Sequence, residues 1–318
     1  MLNLTDRYVV YLDPETLKYM YYNYVKLRDY PVMNKLFLLL HEGYINNMVV
    51  TPITYDHIVP HINDNKIEIE FLNMMSNLGQ IEFHQRFTIR TLQLIRVISC
   101  FFEQDNNKPS WRDAFSSDPD ARYTPGFNKY LSLNAQIVLK ALEREKNNSQ
   151  MYLFIDSFKD GKALDSIAGE YFFYFWETFS DLLKPYMPLD GSYEYHMKNF
   201  LSYEEIKDIP EFHIISNILY SLFETYGIED VECGYKDDLL IASEKIAAYM
   251  PYCNYYISTV DMVKLVKMTG INEPYNVVIY DHNEESLYKL IDDLTIAMRT
   301  KSSEVKKKSS RTMFKKGR

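Results

Sequence analysis

Between Asp238 and Asp261 the chain reads DLLIASEKIAAYMPYCNYYISTVD, and this stretch restricts the fold more than any other. Ile241, Ile246 and Ala247 recur at core spacing for a helix. That helix must stop at Met250-Pro251, because proline lacks the N–H a continuing helix needs and its ring clashes with the turn before it. Cys253 to Ile257 is a short β-favouring run. Polar Ser258 and Thr259 follow, and Asp261 is expected to open a second helix. Helix, buried strand and helix in so few residues is the rhythm of a parallel α/β sheet. Ligands of such sheets collect outside the carboxyl ends of the strands, which here means Ser258-Thr259.

The amino-terminal part repeats the pattern. Tyr8 to Leu12 (YVVYL) is a β-branched and aromatic run that ends on Asp13. Pro14 and Glu15 suit the first turn of a helix, which continues through Leu17, Met20, Tyr21 and Tyr24. An Asp in that place suits a metal ligand and equally a helix N-cap. A helix over Met33 to Glu42 leads to Gly43 as its C′ residue, and Asn47 to Ile53 (NMVVTPI) reads as the next strand. Thr54-Tyr55-Asp56-His57 follows, with Thr54 or Asp56 as a cap. His57 and His61 are four apart, but Pro60 lies between them and no glutamate completes an HExxH pattern. Surface or capping histidines are therefore expected rather than a zinc pair.

From Lys66 to about Phe223 the spacing is mostly helical, and the aromatic run between Asp165 and Tyr186 is expected to be buried. The α/β rhythm returns at Asp238, with Asn276 to Tyr280 (NVVIY) as a further strand and a last helix opening at Asn283 or Glu284. The expected organisation is an α/β core split between residues 1–62 and 230–300, a helical insertion over 63–229 and a basic, disordered tail over 301–318.

Composition removes several function classes. Ten glycines, with no GxxxxGK[ST] and no GxGxxG, leave no phosphate-cradling loop for triphosphate hydrolysis. Cys100, Cys233 and Cys253 are too scattered for a CxxC site and too few for a disulfide framework, so buried thiols are expected. The first residues show no basic-then-apolar leader, and no apolar run reaches the ~18 residues of a membrane span. A soluble, cytoplasmic protein is expected. The net charge of −9 is uneven: residues 301–318 hold eight Lys or Arg and one Glu, leaving about −16 on the rest. Such a body repels polyanions unless metal ions or the basic tail intervene. The tail suits either a solubilising end or an arm for nucleic acid or a protein partner.

At three places the chain resembles PIN-like nucleases of a divergent, insertion-bearing bacterial group. These are the opening strand that ends in Asp13 and runs straight into a helix, the TPITYDH segment, and the unit made of Ile209-Pro210, Asp238 and PYCNYYISTVD with its last strand and helix. The resemblance covers the two ends of the chain. It implies a parallel sheet flanked by helices, with carboxylates converging at its carboxyl edge to hold Mg²⁺ or Mn²⁺, since hard ions prefer oxygen ligands. It implies cleavage of RNA or single-stranded nucleic acid to 5′-phosphate and 3′-hydroxyl ends. Asp13 and Asp238 match metal ligands, with Asp237 a neighbour that could substitute. Asp261 or Asp56 would supplement them, while His57, Asn254, Ser258 and Thr259 fall on substrate-side positions. Two family acids are replaced: the Asp of PYCD falls on Asn254, and the T-D pair falls on Ser258-Thr259. The same resemblance therefore also implies a non-catalytic relative, acting as an interaction or regulatory subunit in a toxin–antitoxin or phage-defence assembly.

Overall fold

The computed structural model describes residues 6–25, 31–54, 57, 81–84, 86, 88–90, 92–93, 95–96, 110–115, 209–210, 213–215, 217–218, 221 and 236–316. The aromatic run over 165–186 and the residues Asp56, His61, Cys100 and Cys233 lie outside them.

The fold is a mixed α/β arrangement with a parallel sheet flanked by helices. Its elements are β1 (Tyr8–Leu12), α1 (Pro14–Met20), α2 (Pro31–Ile45), β2 (Val49–Val50), β3 (Pro52–Ile53), β4 (Ile81–Glu82), α3 (Lys236–Tyr249), β5 (Tyr255–Ser258), α4 (Val260–Thr269), β6 (Val278–Asp281) and α5 (Glu284–Lys316). Short 3-10 turns stand at Trp111–Asp113, Met250–Tyr252 and Glu273–Tyr275, and a π turn follows α1 at Tyr21–Val25.

Four strands pair in the order β2-β1-β5-β6, all parallel, and β3 pairs in parallel with β4. Only Thr51 separates β2 from β3, and Pro52 has no N–H to continue the ladder. The two ladders therefore meet in one extended stretch, the four-stranded sheet reading β2, β1, β5, β6 and the two-stranded one β3, β4. From β1 the chain builds outward on one side through β2. It then crosses back and builds on the other side through β5 and β6. The point of reversal lies between β1 and β5.

Strand alternation sorts the core into two layers. Val9, Tyr11, Tyr256 and Ile279 face one side, packed with Ile246 and Ala247 of α3, Met262 and Val263 of α4, and the helical residues Ile89 and Ile214. Val10, Leu12, Ile257 and Tyr280 face the other, packed with Leu17 of α1, Leu36 and Leu40 of α2, and Leu287, Leu290 and Leu294 of α5. Fully burying each such aliphatic side chain contributes roughly 1.5–3 kcal/mol, so most of the driving force lies in these layers.

Several local expectations are corrected. The helix expected at Met33 to Glu42 continues through Gly43 to Ile45, and the chain turns at Asn47, which takes a left-handed φ of 54°. Gly43 is a contact residue rather than a terminator: a Cβ there would lie 2.6 Å from Cγ2 of Val49. Within the stretch read as helical from Lys66 onward, Ile81–Glu82 is a strand. Two residues carry too little periodicity to reveal one. The last strand starts at Val278 rather than Asn276, because Asn276 is left-handed at the end of a 3-10 turn, and it extends to Asp281. The tail expected to be disordered is helical through Lys316 as part of α5. No Gly or Pro interrupts Glu284–Lys316, and cations are favourable near a helix carboxyl end.

The outer edge of β6 is closed at both ends. Asn272 Nδ2 donates to the Val277 carbonyl at 2.9 Å, and the Asp281 N–H donates to Ser286 Oγ at 3.1 Å. Blunting of this kind protects an edge strand from pairing with another chain. Among the described residues, no helix is long and apolar enough to cross a membrane.

Candidate functional site

Register brings the carboxyl ends of three strands level. Leu12 pairs with Ile257, and Ser258 pairs with Asp281. The next residue of β1, Asp13, donates its N–H to the Ile257 carbonyl at 2.8 Å and so lies beside Ser258. Asp13, Ser258 and Asp281 thus form a row across β1, β5 and β6. Strands are spaced about 4.8 Å apart, so the two Asp backbones stand roughly 10 Å apart with Ser258 between them. By alternation all three belong to the face of Tyr11, Tyr256 and Ile279.

The row borders the point where sheet growth reverses. The helix after β1 packs on one face and the helix after β5 on the other, since Leu17 and Val263 belong to opposite core layers. The carboxyl ends at such a divergence are the usual ligand position in open α/β sheets.

Asp13 is only 5% exposed. Its Oδ1 accepts from the Glu15 N–H at 3.1 Å, which caps α1, and its Oδ2 accepts from the Tyr256 hydroxyl at 3.4 Å. Burial and the Asp13 charge push the Tyr256 hydroxyl well above its ordinary range, so it stays a donor and Asp13 the acceptor. The sequence left open whether Asp13 is a cap or a site acid. It is a cap, placed at the carboxyl end of β1.

Ser258 is buried at the end of β5. Thr259 is the N-cap residue of α4, but its side chain makes no capping hydrogen bond. Asp261 stands in the first turn of α4 with its side chain 93% exposed, 3.8 Å from Lys264. An anion there favours the helix amino end, and so exposed an ion pair adds little. Asp238 falls on the first turn of α3, and its side chain lies outside the described residues.

Two sequence candidates stand elsewhere. Asn254 precedes β5 at the opposite, amino edge of the sheet. Its Oδ1 accepts from the Val9 N–H at 2.8 Å, and its own N–H donates to the Val9 carbonyl at 2.9 Å, so its side chain extends the ladder. His57 is buried rather than on the surface. Its Nδ1 accepts from the Thr54 N–H at 3.1 Å and lies 2.9 Å from Thr54 Oγ1, while Nε2 is 2.8 Å from the Leu12 carbonyl. A carbonyl only accepts and a backbone N–H only donates, so the ring is neutral with its proton on Nε2. Both nitrogens are committed to holding the Thr54 turn against the end of β1.

Asp281 was missed, although its signal is plain in retrospect. Val277 to Asp281 (VVIYD) repeats the pattern of Val9 to Asp13 (VVYLD), a β-run delivering an Asp. Asp281 Oδ1 accepts from the Asn283 N–H at 2.9 Å. It also lines an open cleft of about 800 Å³ along the β6 edge, with Lys267, Asn272, Ser286 and Lys289. The next residue, His282, packs on Tyr19 of α1 with ring centroids 4.1 Å apart. Burial lowers its pKa, against the opposing pull of Asp281 and a hydrogen bond to the Ser258 backbone.

The described residues hold no group of three His, Cys, Asp or Glu side chains placed to bind a metal ion. The Cys253 thiol, pushed up by burial, donates to the Tyr249 carbonyl at 3.2 Å, as a structural thiol does. No family model, curated protein or solved structure matches the chain.

Proposed function

We propose that this chain is a PIN-like nuclease that hydrolyses phosphodiester bonds of RNA or single-stranded nucleic acid at the carboxyl edge of its sheet, with Mg²⁺ or Mn²⁺ as cofactor. The observation that carries this reading is the level row Asp13–Ser258–Asp281 at the carboxyl edge of the sheet. The strand order β2-β1-β5-β6 adds support, because it puts β1 inside the sheet with its Asp at the reversal.

The donor chemistry suits a hard divalent ion: Asp13 and Asp281 offer only oxygen, and Asp238 adds a third carboxylate by sequence. Such an ion, when bound, supplies charge neutralisation and an acidified water. The remaining roles belong to the chain. The Glu15 N–H and Tyr256 hydroxyl hold the Asp13 carboxylate in one orientation. Ser258 and Thr259 offer hydroxyls toward a phosphate, and the uncapped amino end of α4 offers N–H groups and a favourable dipole. His57 fixes the loop after β3 and takes no part in the chemistry.

Incubating the purified chain with end-labelled RNA and single-stranded DNA in Mn²⁺ tests this. Cleavage to 5′-phosphate products, lost in Asp13→Asn, is expected. No product from either polymer with either ion would overturn the reading.

A second reading, a non-catalytic PIN-like subunit of a toxin–antitoxin or phage-defence assembly, is favoured by Asn254 and Thr259 where relatives carry Asp. Calorimetric titration separates the two: this reading expects no Mn²⁺ heat, and Asp13→Asn identical to wild type.

A further inference from the structure

The carboxyl edge carries aromatic side chains that the chemistry above does not use. Tyr19, on α1, and His282, directly after Asp281, come from opposite ends of the chain and meet with ring centroids 4.1 Å apart and planes tilted by 35°. That separation is at the short end for aromatic pairs, so the rings overlap closely. Tyr19 remains 42% exposed and Tyr22, one turn further along, is 40% exposed. His282 is tied to the sheet through its hydrogen bond to the Ser258 backbone. The pair therefore stands at the end of β6, one residue beyond Asp281 and on the face of Tyr280 and α1, across the sheet edge from the acid row.

Charge gives such a surface a reason to bind. Outside residues 301–318 the chain carries about −16, which opposes a polyanion. A strand brought to the row must gain affinity from a term that does not depend on phosphate charge. Stacking of bases on aromatic rings is such a term, tolerant of sequence because every base has a π face.

We propose that Tyr19, backed by His282, is a stacking platform for an unpaired nucleobase of the strand whose phosphodiester lies along Asp13, Ser258 and Asp281. This rests on the nuclease reading and adds the ligand's single-strandedness and the position of one base. Tyr22 continues the platform toward the next base.

The test is fluorescence anisotropy of the full chain with a labelled oligoribonucleotide of about 12 nucleotides, within the span of single-strand sites, against an abasic oligomer of equal length and charge. Tyr19→Ala is expected to weaken the base-bearing oligomer about ten-fold while leaving the abasic one unchanged, as loss of one stacked base requires. Tyr19→Phe, which keeps the ring, is expected to bind as wild type, and Tyr19→Leu, which keeps only apolar bulk, to bind as Tyr19→Ala. Wild-type binding unchanged by Tyr19→Ala, or an equal loss on the abasic oligomer, would overturn the platform and leave the nuclease reading standing. Wild type that binds neither oligomer would overturn both.

Discussion

The hydroxyl of Tyr256 donates to Oδ2 of Asp13 at 3.4 Å, linking the middle of β5 to the end of β1 across the place where sheet growth reverses. The other oxygen of Asp13 caps α1. The capping role of this carboxylate and the metal-binding role proposed for it are therefore separable by substitution. Asn keeps a capping oxygen, so Asp13→Asn is expected to melt close to wild type while losing Mn²⁺ binding and cleavage. Asp13→Ala is expected to lose both, with about 1 kcal/mol of stability gone with the cap. Tyr256→Phe should cost no more than about 1 kcal/mol, the hydrogen bond being long. Urea denaturation and calorimetry on the three variants check this.

Gly43 of α2 packs close against Val49 of β2. A Cβ built there meets Val49 Cγ2 at 2.6 Å and Cβ at 2.8 Å, and Val49 is a buried β2 residue with little room to move. Gly43→Ala is expected to destabilise by roughly 1–2 kcal/mol, since overpacking outweighs the helix-propensity gain of about 1 kcal/mol. Adding Val49→Ala should remove the clash, and a double-mutant cycle would then show coupling between the two positions.

Asn254 and Thr259, where the proposed PIN-like reading would place Asp, stand at opposite edges of the sheet, and substituting Asp at each should differ in effect. Asn254→Asp can still accept from the Val9 N–H and is expected to leave Mn²⁺ affinity unchanged. Thr259→Asp adds a carboxylate at the carboxyl edge, beside the row, and is expected to raise Mn²⁺ affinity in a calorimetric titration. Equal responses from the two variants would mean the ion does not bind at that edge.

His84 and His282 both have their pKa lowered by burial, against opposing pulls from Asp113 and Asp281. In the window between their folded values and the unfolded 6.5, the unfolded chain binds more protons, so stability rises with pH. Their contribution is present above 6.5 and is lost as pH falls through the folded values. Tm is expected to drop on acidification from neutral pH, and His282→Gln to flatten that drop. A profile unaltered in that variant would assign the effect elsewhere.

Much of this fold is legible because its signals are local. Proline at Met250-Pro251, the β-run before Ser258, glycine after α4 and the strand ending in Asp13 each act within a turn or two. Period and punctuation therefore mark β1, α1, α3, β5 and α4. The helical end of α5 was obscured by its charge, which composition alone reads as disorder. Of the candidate site, Asp13 and Ser258 were legible, because a polar residue closing an apolar run is a sequence feature. That Asp281 stands level with them was not, since register is a relation between strands and the same motif would read alike in any order.

The sequence by itself determined which segments are strands and helices near both ends of the chain, and that an Asp closes the first strand, because propensity and breakers work over neighbouring residues. Only the tertiary structure decided that Asn254 serves the amino edge and that His57 is buried with both nitrogens bonded. It alone decided that Ile81–Glu82 pairs with Pro52–Ile53, and that Tyr19 meets His282. Each of these is a pairing between residues distant along the chain, from 30 positions for Ile53 and Phe83 to 245 for Val9 and Asn254. Such pairings are fixed by strand order and burial, which no local pattern encodes.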